Sequence, residues 1–202
     1  MPWFARAETP RAEWLVVGLG NPGDGYAASR HNVGFVVANR LAKRARLEFA
    51  KKAADARIAE GSLGQTRVAI AKPQTFMNES GSSVRRLLDR YRLDPSGLVV
   101  VYDDVDLPLG RIRIRASGGP GTHNGMRSVV STLGTEAFPR VRCGVAPAEP
   151  RAEIGDLAEY VLAPFEADER PVADDMAARA TEALEILLRD GLTRAMDRFN
   201  SG

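Results

Sequence analysis

Cysteine is almost missing from this chain: Cys143 is the only one, so no internal disulfide can form and a cysteine-based zinc site is excluded. It sits in VRCGV, whose alternation reads as a strand carrying a small packed thiol. Histidine is nearly as scarce. His31 and His123 are too few and too far apart for a helical H-E-x-x-H motif, and metal chemistry is a minor reading. No apolar run approaches the roughly 18 residues of a membrane span. The opening MPWFARAETPRAEW has no apolar core of signal-peptide length, and Glu8 and Glu13 argue against an acid-poor transit peptide. The expectation is a cytoplasmic protein with no membrane contact.

At 202 residues and 44% hydrophobic, the chain can bury one substantial core but is short for two independent domains. The net charge of +2 hides an asymmetry, because residues 1–148 carry 22 Lys and Arg against 13 Asp and Glu, whereas residues 149–202 carry 6 against 13. The basic part is where a polyanion would bind, and solvated helix faces are the plainer account of the same charge.

Trp14 to Gly18 reads as an apolar strand, followed by a glycine-rich turn and a helix with Val33, Val36, Val37 and Leu41 at helical spacing. Ala56 to Glu60 and Thr66 to Ala71 read as a hairpin across GSLGQ. Val84, Leu87, Leu88 and Tyr91 mark a second amphipathic helix, beginning near the capping-type residues Asn78 and Ser80. GLVVVYDDVDLPLG suits a buried strand whose carboxyl end emerges into a cleft; Arg111, Arg113 and Arg115 then alternate with Ile112 and Ile114 on a strand with one basic face. A loop-to-helix segment, the strand PRVRCGVAP, a helix around Met176 to Arg189 and a short terminal helix complete the chain. The fold class is therefore α/β: one domain with a twisted, mixed but mostly parallel sheet flanked by helices on both faces. Ligands gather at the carboxyl ends of strands in such sheets, so the loops after residues 18, 72 and 102 are expected to share one cleft.

Gly18, Gly20 and Gly23 spell G-x-G-x-x-G. A dinucleotide site needs a helix at the third glycine and an acid about 20 positions on; here Asp24 and Gly25 delay the helix, and Arg40, Lys43 and Arg44 occupy the later region. His31 follows the loop at the start of a helix, where exposed amides disfavour a cationic imidazole and leave a neutral ring able to accept a proton. A carboxylate would fix its tautomer, and Asp103, Asp104 and Asp106 are the candidates. The same acids could bind Mg²⁺ or form a polar turn. Strand alternation sends Asp103 and Asp104 to opposite sides. In KPQTFMNESG, Asn78 is either a cap or a donor to a carbonyl, while Phe76 and Met77 are either core or a floor for a ribose, base or peptide. GGPGTHNGMRS is either plain loop-to-helix chemistry or a phosphate cradle using Arg127.

Together, GLGNPG…Y…RHN.G (Gly18 to Gly34), KP.TFMN.SG (Lys72 to Gly81), DD.DLP.G (Asp103 to Gly110) and GTHNGMRS (Gly121 to Ser128) resemble the bacterial peptidyl-tRNA hydrolase family, over about residues 14 to 200. The resemblance implies hydrolysis of the ester between a peptide and the terminal ribose of tRNA. It assigns His31 as the general base, Asp103 as the acid that orients and charges it, and Asn21 as the residue near the scissile bond that distinguishes blocked from free amino ends. Tyr26, Phe76, Asn78 and Asn124 match positions that contact tRNA or peptide. The expected partner is peptidyl-tRNA, with no cofactor, no obligate protein partner and a monomeric state. Its phosphates would be held among Arg111, Arg113, Arg115, Arg127, Arg140 and Arg142, with a steep dependence on salt. Two features depart from the family pattern: Thr122 stands where many members have glycine, and residues 1–13 form an N-terminal extension, expected to be flexible or peripheral, ahead of the domain at 14–202. Residues 147–165 are a candidate lid. A non-catalytic RNA-binding module and a nucleotide-dependent oxidoreductase are the alternative readings.

Overall fold

A computed structural model describes residues 12–147 and 154–201. Its centre is a seven-stranded sheet in the order β2-β3-β4-β1-β5-β7-β6. The strands are β1 (Trp14–Gly18), β2 (Lys51–Ala53), β3 (Ala56–Leu63), β4 (Thr66–Pro73), β5 (Leu98–Pro108), β6 (Ile112–Arg115) and β7 (Arg140–Ala146). β4, β1, β5 and β7 run parallel, while β2, β3 and β6 pair antiparallel at the two edges. The mixed, mostly parallel sheet expected from the sequence is present.

The helices are α1 (Val33–Arg44), α2 (Ser80–Tyr91), α3 (Asn124–Leu133), α4 (Leu157–Leu162), α5 (Arg170–Asp190) and α6 (Leu192–Phe199). Central strands covered on both faces must be apolar at consecutive positions, and the pleat divides those positions between two cores. Val16, Val99 and Val101 pack with Val37 and Leu41 of α1 and with Leu184 of α5. Their neighbours Leu15, Val17 and Val100 pack with Leu87 of α2 and Met126 of α3.

Several details differ from expectation. The three residues of β2 carry no alternation long enough to read, yet they extend the hairpin at the sheet edge. The hairpin connection shrinks to Gly64 and Gln65, because Gly64 supplies the positive φ of 64° that a tight turn needs. α4 lies within the candidate lid at 147–165, for which no helix is read from the sequence. Ala12 is buried in a core, and Glu13 exchanges backbone and side-chain hydrogen bonds with the main chain of Arg67, so ordered packing reaches two residues into the expected extension. Residues 1–11, and 148–153 of the candidate lid, lie outside the described residues.

Candidate active site

The carboxyl ends of β1, β4 and β5 and the amino end of α3 converge on one cleft of about 860 Å³. The loop after β1 can come so close because of its glycines. A Cβ on Gly18 would lie 2.1 Å from the Gly34 carbonyl oxygen, so strand and helix touch backbone to backbone. Gly20 is covered by the Phe35 ring. These glycines serve packing, and the α-helix opens only at Val33, after a 3-10 turn over Arg30–Asn32; at Gly23, where a dinucleotide motif needs an α-helix, only a three-residue 3-10 turn over Asp24–Tyr26 begins. Asn32 then locks the loop, accepting from the Asn21 N–H at 2.8 Å and donating to the Asn21 carbonyl at 2.9 Å.

His31, in that 3-10 turn, is buried, and its Nδ1 lies 2.9 Å from both oxygens of Asp103. His123 meets the same carboxylate from the other side, with its Nε2 at 2.9 Å from Oδ1. Neighbouring bonds settle the tautomers. His123 is the N-cap of α3, and its Nδ1 accepts the Met126 N–H at 3.1 Å, so its Nε2 carries the proton and donates to Asp103. His31 Nδ1–H donates likewise, which leaves its Nε2 as an unshared lone pair at the cleft. Burial by itself raises the Asp103 pKa, but attraction and hydrogen bonding from His123 and His31 outweigh it and hold the carboxyl well below its ordinary range. The carboxylate is thus charged, buried and doubly solvated by imidazole N–H groups.

Asp103 and Asp104 part as strand alternation requires. Asp104 accepts from Arg142 Nε at 2.5 Å and from the Asp106 N–H at 2.8 Å. The three acids therefore do not share one cation site. His31, Asp103 and His123 do place donor atoms within 4.8 Å of one another. A metal there would need the Nε2 lone pair of His123, however, and the bond from Met126 makes that atom an N–H.

Asn21 is buried beside this trio, and its Oδ1 accepts the Met77 N–H at 2.8 Å. Only the oxygen can take that bond, so Nδ2 is the donor left for a ligand. Asn78 and Asn124 line the cleft and are exposed; Asn78 makes no cap for α2. Met77 is 4% exposed and does double duty as core and wall, while Phe76 stands 58% exposed at the rim. Arg127 lines the cleft with its Nε on the Gly121 carbonyl. Tyr26 is the half-buried residue of an otherwise exposed turn and is not among the lining residues.

The six candidate arginines separate. Arg115, Arg127, Arg140 and Arg142 line the cleft, Arg113 donates to the Asn200 carbonyl at 2.8 Å, and Arg111 lies apart from the lining. Arg140 is 1% exposed and binds the carbonyls of Gly118, Glu136 and Phe138, so it shapes the loop 117–121 and is not a free phosphate ligand.

Three features are not readable from the sequence. His123 resembles an ordinary loop residue, and its only signal is its place directly before a helix. Asn32 carries no signal beyond adjacency to His31. The third is the wall made by Leu157, Ala158, Val161 and Leu162 on α4. That wall is fastened by Arg30, whose guanidinium donates to the Pro164 carbonyl at 2.7 Å and to Glu169 at 2.5 Å while lying 4.4 Å from the Tyr160 ring centre.

Residues 15–202 match the family profile for peptidyl-tRNA hydrolase. The peptidyl-tRNA hydrolase of Roseiflexus sp. (strain RS-1) is 51% identical over 189 residues, covering 93% of this chain and 86% of that protein. That of Chloroflexus aurantiacus (strain ATCC 29366 / DSM 635 / J-10-fl) is 49% identical over 188 residues, covering 93% and 98%. Among solved structures, peptidyl-tRNA hydrolase from Acinetobacter baumannii superposes with a TM-score of 0.85 at 29% identity, over 93% of this chain and 94% of that one.

Proposed function

The chain belongs to the peptidyl-tRNA hydrolase family, and from that premise we propose that its cleft cleaves the ester between peptide and tRNA by general-base hydrolysis at His31. The observation that carries this reading is the His31–Asp103–His123 arrangement, which leaves one imidazole lone pair facing the cleft beside the Asn21 amide donor. His31 Nε2 takes a proton from water, and the resulting hydroxide attacks the ester carbonyl carbon. Asn21 Nδ2 donates to the oxygen on which negative charge develops. As the tetrahedral species collapses, the bond to the ribose oxygen breaks and the His31 imidazolium returns its proton to that oxygen, giving tRNA and a free peptide carboxyl. Asp103 stabilises the transient imidazolium, and His123 keeps Asp103 in place. An ester is reactive enough that a positioned base, contributing about 10²–10⁴-fold, and preset donors suffice without a metal or organic cofactor.

Asn78 and Asn124, with Phe76 and Met77, contact the reacting end of the substrate. Arg115 and Arg127 face the RNA phosphates, and Tyr26 touches tRNA outside the cleft. The enzyme works as a cytoplasmic monomer. No helix among the described residues is long and apolar enough to cross a membrane.

The test is release of an N-acetylated amino acid from tRNA, with free aminoacyl-tRNA as the comparison. Turnover of the blocked substrate alone, lost by at least about 10²-fold in His31→Ala, is the expected result. An active His31→Ala enzyme removes the mechanism. Tight tRNA binding with no turnover by the wild type makes the chain an RNA-binding module.

A further inference from the structure

β6 forms one edge of the sheet, and an edge strand turns the N–H and C=O of every second residue away from its partner. At Ile114 a side chain supplies the missing rung. Asn200, directly after α6, accepts the Ile114 N–H on its Oδ1 at 2.8 Å and donates from Nδ2 to the Ile114 carbonyl at 3.0 Å. One carboxamide thus reproduces both hydrogen bonds of a neighbouring strand. The Asn200 carbonyl in turn accepts from the Arg113 guanidinium at 2.8 Å, so two consecutive residues of β6 are tied to this one position.

The packing of α6 brings Asn200 to that edge. Ala195 and Phe199 bury the apolar side of the helix in the core that also holds Ile112 and Ile114. The Asn200 N–H closes the last turn on the Met196 carbonyl at 2.9 Å, which leaves its side chain and its carbonyl for β6. Beyond Ile114 the strand has one more residue, Arg115, which pairs in register with the buried Arg140 and lines the cleft. The loop 117–121 follows, held by Arg140 at the Gly118 carbonyl. β6 is four residues long, so a strand with little pairing of its own carries Arg115 into the cleft.

We propose that Asn200 is a positioning residue for substrate binding: by completing the outer edge of β6 it fixes Arg115, and so sets the affinity for the RNA phosphates that Arg115 faces. The inference rests on the peptidyl-tRNA reading and adds a determinant of affinity that touches no substrate, since Asn200 is not among the residues lining the cleft. A short strand bonded on one side only frays at its end, and an arginine on a fraying end must be ordered each time a phosphate binds. Bonded on both sides, the strand presents its arginine already ordered. His31 and Asp103 stand on the turn before α1 and on β5, outside this tie, so the pin bears on binding and leaves the chemical step alone.

The experiment is a double-mutant cycle read in the hydrolysis of N-acetylaminoacyl-tRNA. Arg115→Ala should raise KM about tenfold and make its salt dependence shallower by about one phosphate contact. Asn200→Ala should raise KM about threefold or more, with a shallower salt dependence and with kcat within about twofold of wild type. In the Arg115→Ala background the same change should move KM by less than about twofold. Asn200→Asp keeps the size of the side chain and the Ile114 N–H contact but sets a carboxylate against the Ile114 carbonyl; it should follow Asn200→Ala, and it serves as the second variant where truncation loosens α6. The inference is overturned by Asn200 variants with the wild-type KM, by a kcat that falls as KM rises, or by a KM effect that persists in full without Arg115, the mark of a general loosening of the last helix. Arg115→Ala with the wild-type KM and salt dependence removes the phosphate role of that arginine, and the inference with it. A wild type that turns over no blocked substrate defeats the functional reading itself, a different outcome from all of these.

Discussion

Asp103→Asn isolates what the carboxylate does, because the substitution is isosteric and its hydrogen-bond consequences can be read from the site. Two N–H groups point at Asp103, and Oδ1 serves both, while Oδ2 serves His31 alone. His123 cannot reverse its tautomer without losing the Met126 bond. The introduced carboxamide must then turn its oxygen to His123, which presents its NH₂ group to His31 Nδ1. That nitrogen becomes an acceptor, the proton moves to Nε2, and the lone pair facing the cleft is lost. Removing the charge also withdraws Coulombic support for the imidazolium, about 4 kcal/mol for charges some 4 Å apart at an effective dielectric near 20. At 1.36 kcal/mol per decade this is close to 10³-fold, and the wrong tautomer brings the expected loss in kcat to about 10³–10⁴-fold. Steady-state hydrolysis of N-acetylaminoacyl-tRNA gives the rate, and nitrogen NMR of the histidines gives the tautomer. A variant that keeps more than about a tenth of wild-type kcat, or whose His31 proton stays on Nδ1, refutes the reasoning.

Three further outcomes follow from the packing and the charges. Glu169→Ala leaves the buried Arg30 guanidinium without its carboxylate and should cost about 3–5 kcal/mol in urea unfolding, against less than about 1 kcal/mol for removing an exposed partner such as Asp174. Gly125→Ala drives a Cβ to 2.5 Å from Met77 Sδ and 2.9 Å from the His123 ring, so overpacking of about 1–3 kcal/mol should appear as a lower thermal midpoint together with reduced kcat. Asp103 titrates below its ordinary value in the folded chain, so the unfolded state binds more protons as acid is added. The stability it contributes is present above about pH 4 and lost as pH falls below that; midpoints from pH 6 to pH 3 should fall less steeply in Asp103→Asn than in the wild type.

His31 and Asp103 are legible in the sequence because each stands where a run of regular pattern stops: one after a glycine loop, the other where an apolar strand turns acidic. Strand alternation parts Asp103 from Asp104 correctly because a pleat has no other choice. His123 is not legible, since a residue that caps a helix and a residue that binds a carboxylate look alike in sequence, and here one ring does both. The arginines show a different limit. Arg140 and Arg142 sit on the same side of β7, two residues apart, yet one is spent on carbonyls and the other rests on Asp104. Sequence reports their charge but not which acceptors reach them first. Short elements escape for want of period: β2 has three residues and α4 has six, too few for alternation or an amphipathic stripe to show.

The tie between Arg30 and Glu169 joins positions 139 residues apart, and His31 finds Asp103 across 72. On a chain emerging from its amino end, His31 is made early but stays without Asp103 until β5 is available, and without its wall until α4 and the start of α5 have followed. Contacts of such long sequence separation come late, after the loops between them have been closed. The sheet between β4 and β1 can already be paired while the cleft is still open on one side. A newly synthesised copy therefore carries His31 long before it has a closed cleft, and the cleft gains its last wall only after Glu169 has emerged.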